Sequence, residues 1–415
     1  MTVLDHPCQP PLQPEARSRI VAAAVAVFLS DGFAGASIDA IAAAARMSKV
    51  SIYEVFPNKA ALFEAAVREA CDRHFIDAPG PPGVASLVDY LRQLGRAVFE
   101  RFLDPVNFGL FRANIEAANQ FPELAAMLHE HRRQSGQAGA QHLQRWIDDG
   151  SIAGFDAFGA ATRFTATCVE GSRYFLGAPA PDSAERARIV DRVTALVLDG
   201  YRAAAPGDAD DQPDPPPPPP AVVATRMEAA RFEQLLAAAT EEFLVHGYKG
   251  ASIDRIVAVI RAGRTTVYRH FGRKEGLFRH VVGGLIDRET AKPYGLGPVR
   301  SDLQADLAAL AEQALDRHCE WGNIKLHRLL IQEAGLAPDL AVRFYDGRVQ
   351  GLGRALTQVL GRHGQRAPST ETKRDFYNLA TSALRYLTVS TFPDRGQRHA
   401  EAGEVARIFL NGIRG

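Results

Sequence analysis

Two short segments of the sequence combine hydroxyl, aromatic and charged side chains in a pattern suited to contacting phosphates and base edges. The first segment supplies Ser37, Ser48, Lys49, Val50, Ser51, Tyr53, Glu54 and Lys59. The second segment supplies Ser252, Arg264, Thr265, Thr266, Tyr268, Arg269, His270 and Lys274. Hydroxyl and cationic groups bind phosphate oxygens, and arginine pairs with guanine. The chemistry that these residues favour is contact with double-stranded DNA.

A pair of short helices must position the first set of residues. Ser37 is placed to cap one helix, and Ser48 to cap a second helix over 49–55. Ile52 and Phe56 are four residues apart, so they anchor one face of the second helix and leave the other face outward. Two short helices joined by a tight turn form a helix-turn-helix unit, whose second helix fits the major groove.

The same pattern occurs twice in the chain. Residues 32–63 align without a gap with residues 247–278, and roughly 14 of the 32 positions are identical. A weaker similarity follows deeper in each half, where the segment that starts at Arg112 resembles the segment that starts at Arg328. A repeat of this length indicates a duplicated domain rather than a solenoid unit.

Each half of the chain is predicted to be helical. Apolar residues recur at three- and four-residue spacing, and alternating strand-like runs are scarce. Typical helix candidates are 87–102, 136–147, 184–201, 302–318 and 345–360. The predicted fold class is all-α, with two tandem copies of an N-terminal helix-turn-helix domain followed by a C-terminal helical domain.

An acidic, proline-rich segment separates the two copies. Residues 206–220 read PGDADDQPDPPPPPP, a composition that cannot build a core and favours extended polyproline II. At about 3.1 Å per residue, a linker of ~20 residues spans up to ~60 Å. The predicted divisions of the chain are 15–75, 84–204, a linker over 205–224, 225–290 and 300–415.

The composition excludes a chain that is coated with positive charge. The 415 residues contain 48 Lys plus Arg and 48 Asp plus Glu, so the formal net charge is zero. The four cysteines are far apart, which argues against a CxxC metal site or a disulfide framework, and no cofactor is expected. The N-terminus lacks a signal-peptide pattern, and the longest apolar run, 21–29, is about half of what spans a bilayer. We expect a soluble, cytoplasmic protein without a membrane partner.

Both copies resemble the DNA-binding domain of the tetracycline-repressor-like (TetR/AcrR) family of regulators. The first copy carries the family's motif residues at Phe28, Gly32-Phe33, Ser37-Ile38, Ile41-Ala42, Ser48, Ser51-Ile52-Tyr53, Phe56, Lys59 and Leu62-Phe63. The second copy carries them at Phe243, Gly247-Tyr248, Ser252-Ile253, Ile256, Thr266-Val267-Tyr268, Phe271, Lys274 and Leu277-Phe278. The match covers about 45 residues per copy, and the remainder of each half resembles the family in helicity and length only.

The resemblance implies that one chain contains a complete pair of DNA-binding units. Family members are homodimers that place two recognition helices about one DNA turn apart and join through a four-helix interface. Because both copies lie in one chain, we predict an intramolecular pseudo-dimer that binds one DNA operator. The resemblance also favours repression that an effector releases.

Both copies depart from the family pattern at the turn between the two short helices. The usual turn glycine is Arg46 in the first copy and Arg261 in the second. A residue other than glycine costs about 1 kcal/mol in the left-handed conformation, so either a different turn or slight strain is expected there. In the second copy Gly263 replaces the capping serine and is a poorer cap.

The two helix-turn-helix units differ in charge. Residues 32–64 have a net charge of about zero, whereas residues 247–280 have about +6, so the second unit is the stronger predicted DNA anchor. Glu54 stands where the second copy has Arg269, and it can accept from a cytosine amine or repel phosphate. Two readings stay open. Either the two units bind different half-sites of an asymmetric operator, or the protein is a ligand or protein sensor whose first unit is degenerate.

A small apolar or amphipathic effector is expected to bind inside the helical domains. The candidate pocket residues are Phe111, Arg112, Phe164, Tyr174, Arg328, Tyr345, Phe376 and Tyr386. Core packing is the favoured explanation for most of the aromatic members of this set, and solvated helix faces explain the polar members as well as a ligand does. The sequence contains no GxSxG, HExxH or P-loop pattern, so an enzyme is not expected.

Overall fold

The regular structure of the chain is helical. The computed structural model describes residues 14–74, 86–152, 156–203, 229–298, 302–389 and 392–413. No strand occurs within these ranges, which confirms the all-α prediction. The linker predicted over 205–224 lies outside the described residues.

The first copy has two parts, which we call head 1 (α1 to α4) and body 1 (α5 to α9). Its helices are α1 (Pro14–Gly35), α2 (Ile38–Ala45), α3 (Lys49–Val55), α4 (Lys59–His74), α5 (Leu87–Leu103), α6 (Pro105–Gln120), α7 (Pro122–Asp148), α8 (Ala157–Cys168) and α9 (Ser183–Ala203). The divisions of the chain inferred from the sequence stay predictions.

The second copy likewise has head 2 (α10 to α13) and body 2 (α14 to α19). Its helices are α10 (Ala229–Gly250), α11 (Ile253–Val259), α12 (Arg264–Phe271), α13 (Lys274–Ala291), α14 (Leu303–Cys319), α15 (Trp321–Gln332), α16 (Pro338–Arg362), α17 (Thr370–Thr381), α18 (Ala383–Tyr386) and α19 (Arg395–Asn411). Helix α7 begins at Pro122 and helix α16 at Pro338, whereas the segments predicted from the sequence begin at 136 and 345. Both helices start on a proline, which the first turn of a helix tolerates.

Local hydrogen bonds define the two short helices of head 1. Ser37 Oγ accepts the Ala40 N–H at 3.0 Å and caps α2, and Ser48 Oγ accepts the Ser51 N–H at 3.0 Å and caps α3. Between these helices Arg46 adopts the left-handed conformation, with a φ of 54°. The two predicted caps and the left-handed turn are confirmed.

Head 2 makes the same turn with different capping groups. Arg261 has a φ of 49°, and Gly263 precedes α12 without a side-chain cap, as predicted. The Ser252 N–H, at the start of α11, donates to Glu242 Oε1 at 2.8 Å, and Arg255 Nε donates to the same oxygen at 2.9 Å. A carboxylate from α10 therefore holds the start of α11.

Within the described parts of the chain, buried apolar side chains form two clusters. One cluster fills head 1, where Phe28, Ile41, Ile52 and Phe63 are at most 2% exposed, and it includes a few residues of α6 and α7. The other cluster runs from head 2 through both bodies. Head 2 thus shares one core with the two bodies. The core of head 1 is a separate cluster, which only a few residues of α6 and α7 join from body 1.

Charged contacts also hold head 2 on body 2. The buried Glu333 carboxylate accepts a backbone N–H from the end of α10 at 2.9 Å, and Arg279 Nη1 lies 2.9 Å from Asp339 Oδ2. The residues aligned with Arg279 and Asp339 in the first copy are Glu64 and Glu123, which are both acidic. The first copy cannot form this ion pair at those positions.

The two bodies pack against each other within the chain. Helix α9 lies against α19, and α8 lies against α17. Gly200 and Gly412 have φ values of 71° and 74°, and the chain passes so close there that a Cβ on Gly412 would lie 2.2 Å from Leu198 O. The Ile413 N–H donates to Val197 O at 2.8 Å, which joins the two bodies by a backbone hydrogen bond.

Candidate nucleic-acid interface

The outward face of α3 carries most of the residues predicted for head 1. Ile52 is fully buried and holds the helix on the core. On the other side Val50 is 66% and Tyr53 is 49% exposed, and Lys49 and Glu54 are exposed as well. Large apolar and aromatic side chains that gather on an exposed surface are typical of an interaction face.

The outward face of α12 has the same organisation in head 2. Val267 is fully buried, and Tyr268 on the exposed side is 44% accessible. Arg264, Thr265 and Arg269 are exposed beside it. The structure therefore brings the principal predicted residues of each copy together on one short helix.

Several other predicted residues already make contacts inside the heads. Ser37 and Ser48 are used as helix caps, and Ser48 Oγ lies 2.9 Å from Ser51 Oγ. Thr266 and His270 are half-buried, and the ring of His270 packs 6.0 Å from a phenylalanine ring of α10. These side chains support the helices, so the exposed residues offer the freer contacts.

An ion pair links the two short helices in each head. In head 1 Lys49 Nζ lies 2.6 Å from Asp39 Oδ1, and in head 2 Arg264 pairs with Asp254 through two oxygens. The hydrogen bond from Arg264 lowers the pKa of Asp254 below its usual value. These pairs were not predicted from the sequence, although an acid stands ten residues before the cation in both copies. A phosphate or base that binds Lys49 or Arg264 must compete with this carboxylate.

A lysine begins the helix that follows α3 in head 1 and the helix that follows α12 in head 2. Lys59 Nζ lies 4.7 Å from the centre of the Phe33 ring, and Lys274 Nζ lies 4.8 Å from the centre of the Tyr248 ring. Partial burial lowers the pKa of Lys274 below its usual value. The matched cation–π contacts give both lysines a defined direction beside the helix-turn-helix face.

The cations of head 2 are not equally available. Arg255 and Arg279 are bound to the carboxylates of Glu242 and Asp339. Arg269 and Arg273 are exposed, and neither takes part in an ion pair among the described residues. Arg269, on the exposed face of α12, is therefore the best placed of these cations to contact an external anion.

The residues predicted to form an effector pocket do not gather at one place. Phe164, Tyr174, Tyr345 and Phe376 are buried within the core of the two bodies, and Phe111 packs at its edge. Their identity as pocket residues stays a prediction.

The polar members of that set join separate elements of the bodies. Arg328 donates to the backbone oxygens of Leu387 and Val389 at 3.0 Å each, which ties α15 to the segment after α18. Arg112 Nη2 donates to Gln332 O at 3.0 Å and so links α6 of body 1 to α15 of body 2.

A cavity of about 620 Å³ lies between the two bodies, and Tyr386 is the predicted pocket residue that lines it. Helices α7 and α8 of body 1 form one side, and residues from 385–389 and 392–404 of body 2 form the other. Its lining includes Phe158, Arg163, Phe392, Glu401 and Glu404. Aromatic surfaces beside charged groups fit an amphipathic molecule.

No helix within the described residues combines the length and the apolar character needed to cross a bilayer.

Sequence comparisons relate both heads and one body to bacterial regulators. The family described as bacterial regulatory proteins, tetR family, matches residues 20–66 and 235–281. A second family, described as AefR-like transcriptional repressor, C-terminal domain, matches residues 89–203. Together the matches cover about half of the chain.

Individual relatives match parts of the chain. An HTH-type transcriptional repressor of Streptomyces coelicolor is 41% identical over 60 residues, which are 14% of this chain and 31% of the relative's length. A solved TetR-family regulator from Mesorhizobium loti is 23% identical, with a TM-score of 0.39 over 45% of this chain and 96% of its own. The flavonoid-responsive regulator FrrA is 26% identical, with a TM-score of 0.36 over 44% of this chain and 94% of its own.

Proposed function

The chain belongs to the tetR family of bacterial regulatory proteins, which are DNA-binding transcriptional regulators, and we propose that it is a repressor in which one chain supplies both DNA-binding heads. The observation that carries this proposal is the packing of α8 and α9 against α17 and α19. This contact joins body 1 to body 2, so a second chain is not needed to complete the pair. Each body then positions one head, whose exposed recognition helix (α3 or α12) contacts one half of the operator.

Selection of bound sequences from random DNA tests the proposal. We expect one operator with two half-sites to be recovered, and the DNA-bound form to contain a single chain of 45.0 kDa. A bound form of twice that mass, or recovery of no sequence, would contradict a single-chain repressor.

The operator is proposed to be asymmetric, because the two recognition helices differ in charge. Glu54 in α3 is aligned with Arg269 in α12, and both are exposed. A carboxylate accepts from a cytosine amine, whereas arginine pairs with guanine. Equal protection of two identical half-sites in a footprint would count against this reading.

Alanine substitution of the two exposed tyrosines measures whether both heads bind DNA. We expect Tyr268→Ala to weaken operator binding about tenfold, since loss of a hydrogen bond to a charged group removes about 1.5 kcal/mol. Tyr53→Ala is expected to have a smaller effect in the same gel-shift titration, because head 1 lacks net positive charge. The alternative function, a sensor with a degenerate head 1, predicts that Tyr53→Ala leaves binding unchanged.

The effector is proposed to be an amphipathic aromatic molecule that binds in the cavity between the bodies. A ligand there would contact both copies at once, and could therefore change the angle between them and the spacing of the heads. Glu401 and Tyr386, which are joined by a hydrogen bond of 2.7 Å, would orient its polar end.

Intrinsic fluorescence reports on this cavity. The ring of Trp321 lies 5.0 Å from the ring of Phe392, which lines the cavity. In a screen of amphipathic aromatic compounds we expect ligands that change Trp321 emission, and an affinity about tenfold weaker in Phe158→Ala, from about 1.5 kcal/mol of lost apolar contact. Phe111→Ala is the matched control, because Phe111 belongs to body 1 but lies outside the lining of the cavity. A larger loss in the control would place the ligand inside body 1 instead.

A further inference from the structure

Among the ion pairs between body 1 and body 2, two join α9 to α17 and α8 to α19. Arg192 of α9 binds Asp375 of α17 through two hydrogen bonds of 2.9 and 3.1 Å, and the Asp375 side chain is only 2% exposed. Arg163 Nη1 of α8 lies 2.8 Å from Glu404 Oε2 of α19, and the Arg163 side chain is 6% exposed. The second pair is a close ionic contact whose N–H direction is less favourable for hydrogen bonding. Each pair therefore has one buried member that needs its partner.

The two ion pairs are counterparts of each other with the charges exchanged. Asp375 stands 212 residues after Arg163, and Glu404 stands 212 residues after Arg192. The same separation relates Gly200 to Gly412, which both have positive φ at the contact of α9 with α19. Body 1 thus contributes an arginine at both positions, and body 2 contributes a carboxylate at both.

We propose that this charge pattern makes the two copies selective for each other and prevents either copy from pairing with another copy of its own kind. The proposal rests on the single-chain pairing proposed above, and it explains why a first copy pairs with a second copy rather than with another first copy. A pair of two first copies would place Arg163 opposite Arg192, and a pair of two second copies would place Asp375 opposite Glu404. Like charges at poorly solvated positions strongly disfavour such pairs.

A third contact supports the same preference. Arg374 of body 2 binds the fully buried carboxylate of Glu170 in body 1 at 2.7 Å. By the same separation of 212 residues, the counterparts of Arg374 and Glu170 are Thr162 and Ser382, which are uncharged. A pair of identical copies would therefore leave either Glu170 or Arg374 without its partner across the interface.

The close backbone approach of α9 and α19 does not supply this selectivity. Gly200 and Gly412 give both copies the same approach at this contact, so it does not distinguish unlike from like pairs. A linker between the two copies favours intrachain pairing through an effective concentration, which is of roughly millimolar order for short linkers. The charge pattern disfavours pairs of two first copies or of two second copies, whereas the linker decides which chain supplies the two members of an unlike pair.

Cleavage of the linker tests the proposal. A protease site placed within 206–220 of the full chain is cut after folding, and the cut pair is dissociated in mild denaturant, allowed to reassociate and weighed by native mass spectrometry. We expect at least a tenfold excess of unlike over like pairs. The variant Arg192→Glu with Asp375→Arg keeps both intrachain ion pairs attractive but makes each copy complementary to itself at these positions. Its excess of unlike pairs should therefore fall toward the statistical ratio of one to two to one, with the remaining excess due to the unchanged contact between Arg374 and Glu170.

Controls separate this inference from the proposed function. The variant Arg192→Lys with Asp375→Glu keeps the charge pattern and should keep the excess of unlike pairs. Statistical pairing of the unsubstituted copies, or their separation into single copies, would overturn the inference. Operator binding is measured on the uncut chain, so a loss of DNA binding with unlike pairing intact would contradict the repressor and leave the charge selection standing.

Discussion

Gly412→Ala is expected to lower the free energy of unfolding by about 3 kcal/mol or more. An added Cβ would lie 2.2 Å from Leu198 O and 2.6 Å from Asp199 N, and both are backbone atoms that cannot rotate away. Gly412 also has a φ of 74°, which side chains other than glycine adopt only at a cost. Overpacking and backbone strain each contribute about 1–3 kcal/mol, and both act at this position.

A glycine in the helix that precedes Gly412 provides the matched control. Gly403 lies within α19, and nothing lies within 4 Å of a Cβ placed there. Gly403→Ala should therefore leave stability unchanged or raise it by up to about 1 kcal/mol through helix propensity. The measurement is chemical denaturation followed by circular dichroism. Equal midpoints for the two variants would show that the close contact between α9 and α19 does not hold the bodies together.

Arg269→Ala is expected to weaken operator binding by about 10- to 100-fold, since an arginine that contacts a base contributes about 1–3 kcal/mol. Arg269 is exposed on α12 and takes part in no ion pair among the described residues, so it needs no separation from a carboxylate before it binds DNA. The loss should shrink as salt is raised if part of the contact is to phosphate.

Glu54→Ala is the control at the aligned position of head 1. This substitution removes a carboxylate from an exposed recognition helix, so binding should stay the same or become tighter when the residue faces phosphate. A loss comparable to that of Arg269→Ala would mean that Glu54 reads a base, and that the two heads contribute similarly. The readout is a titration of operator DNA at two salt concentrations.

The helix-turn-helix units were predictable because their geometry depends on residues that are close in sequence. Ser37 and Ser48 cap helices through N–H groups three residues away, and Ile52 is buried because its spacing places it on the inner face. Arg46 and Arg261 occupy the left-handed turn that the pattern required of them. Even the weak cap at Gly263 follows from the residue type alone.

The partners of charged side chains were less predictable, because they depend on which helices meet. The sequence suggested Arg264 as a residue for guanine, but only the packing of α11 against α12 brings Asp254 to it. Similarly, the sequence suggested Arg328 as a pocket residue, but its guanidinium donates hydrogen bonds to backbone oxygens about sixty residues away in the chain.

What the sequence determined by itself is the duplicated all-α organisation, the two exposed recognition helices and the difference in charge between the heads. Only the tertiary structure decided how the copies meet. It brings Arg192 to Asp375 and Arg163 to Glu404, and it opens a cavity between the bodies. The physical reason is distance along the chain: capping and helical periodicity act within about four residues, whereas these contacts join residues about 180 to 240 positions apart.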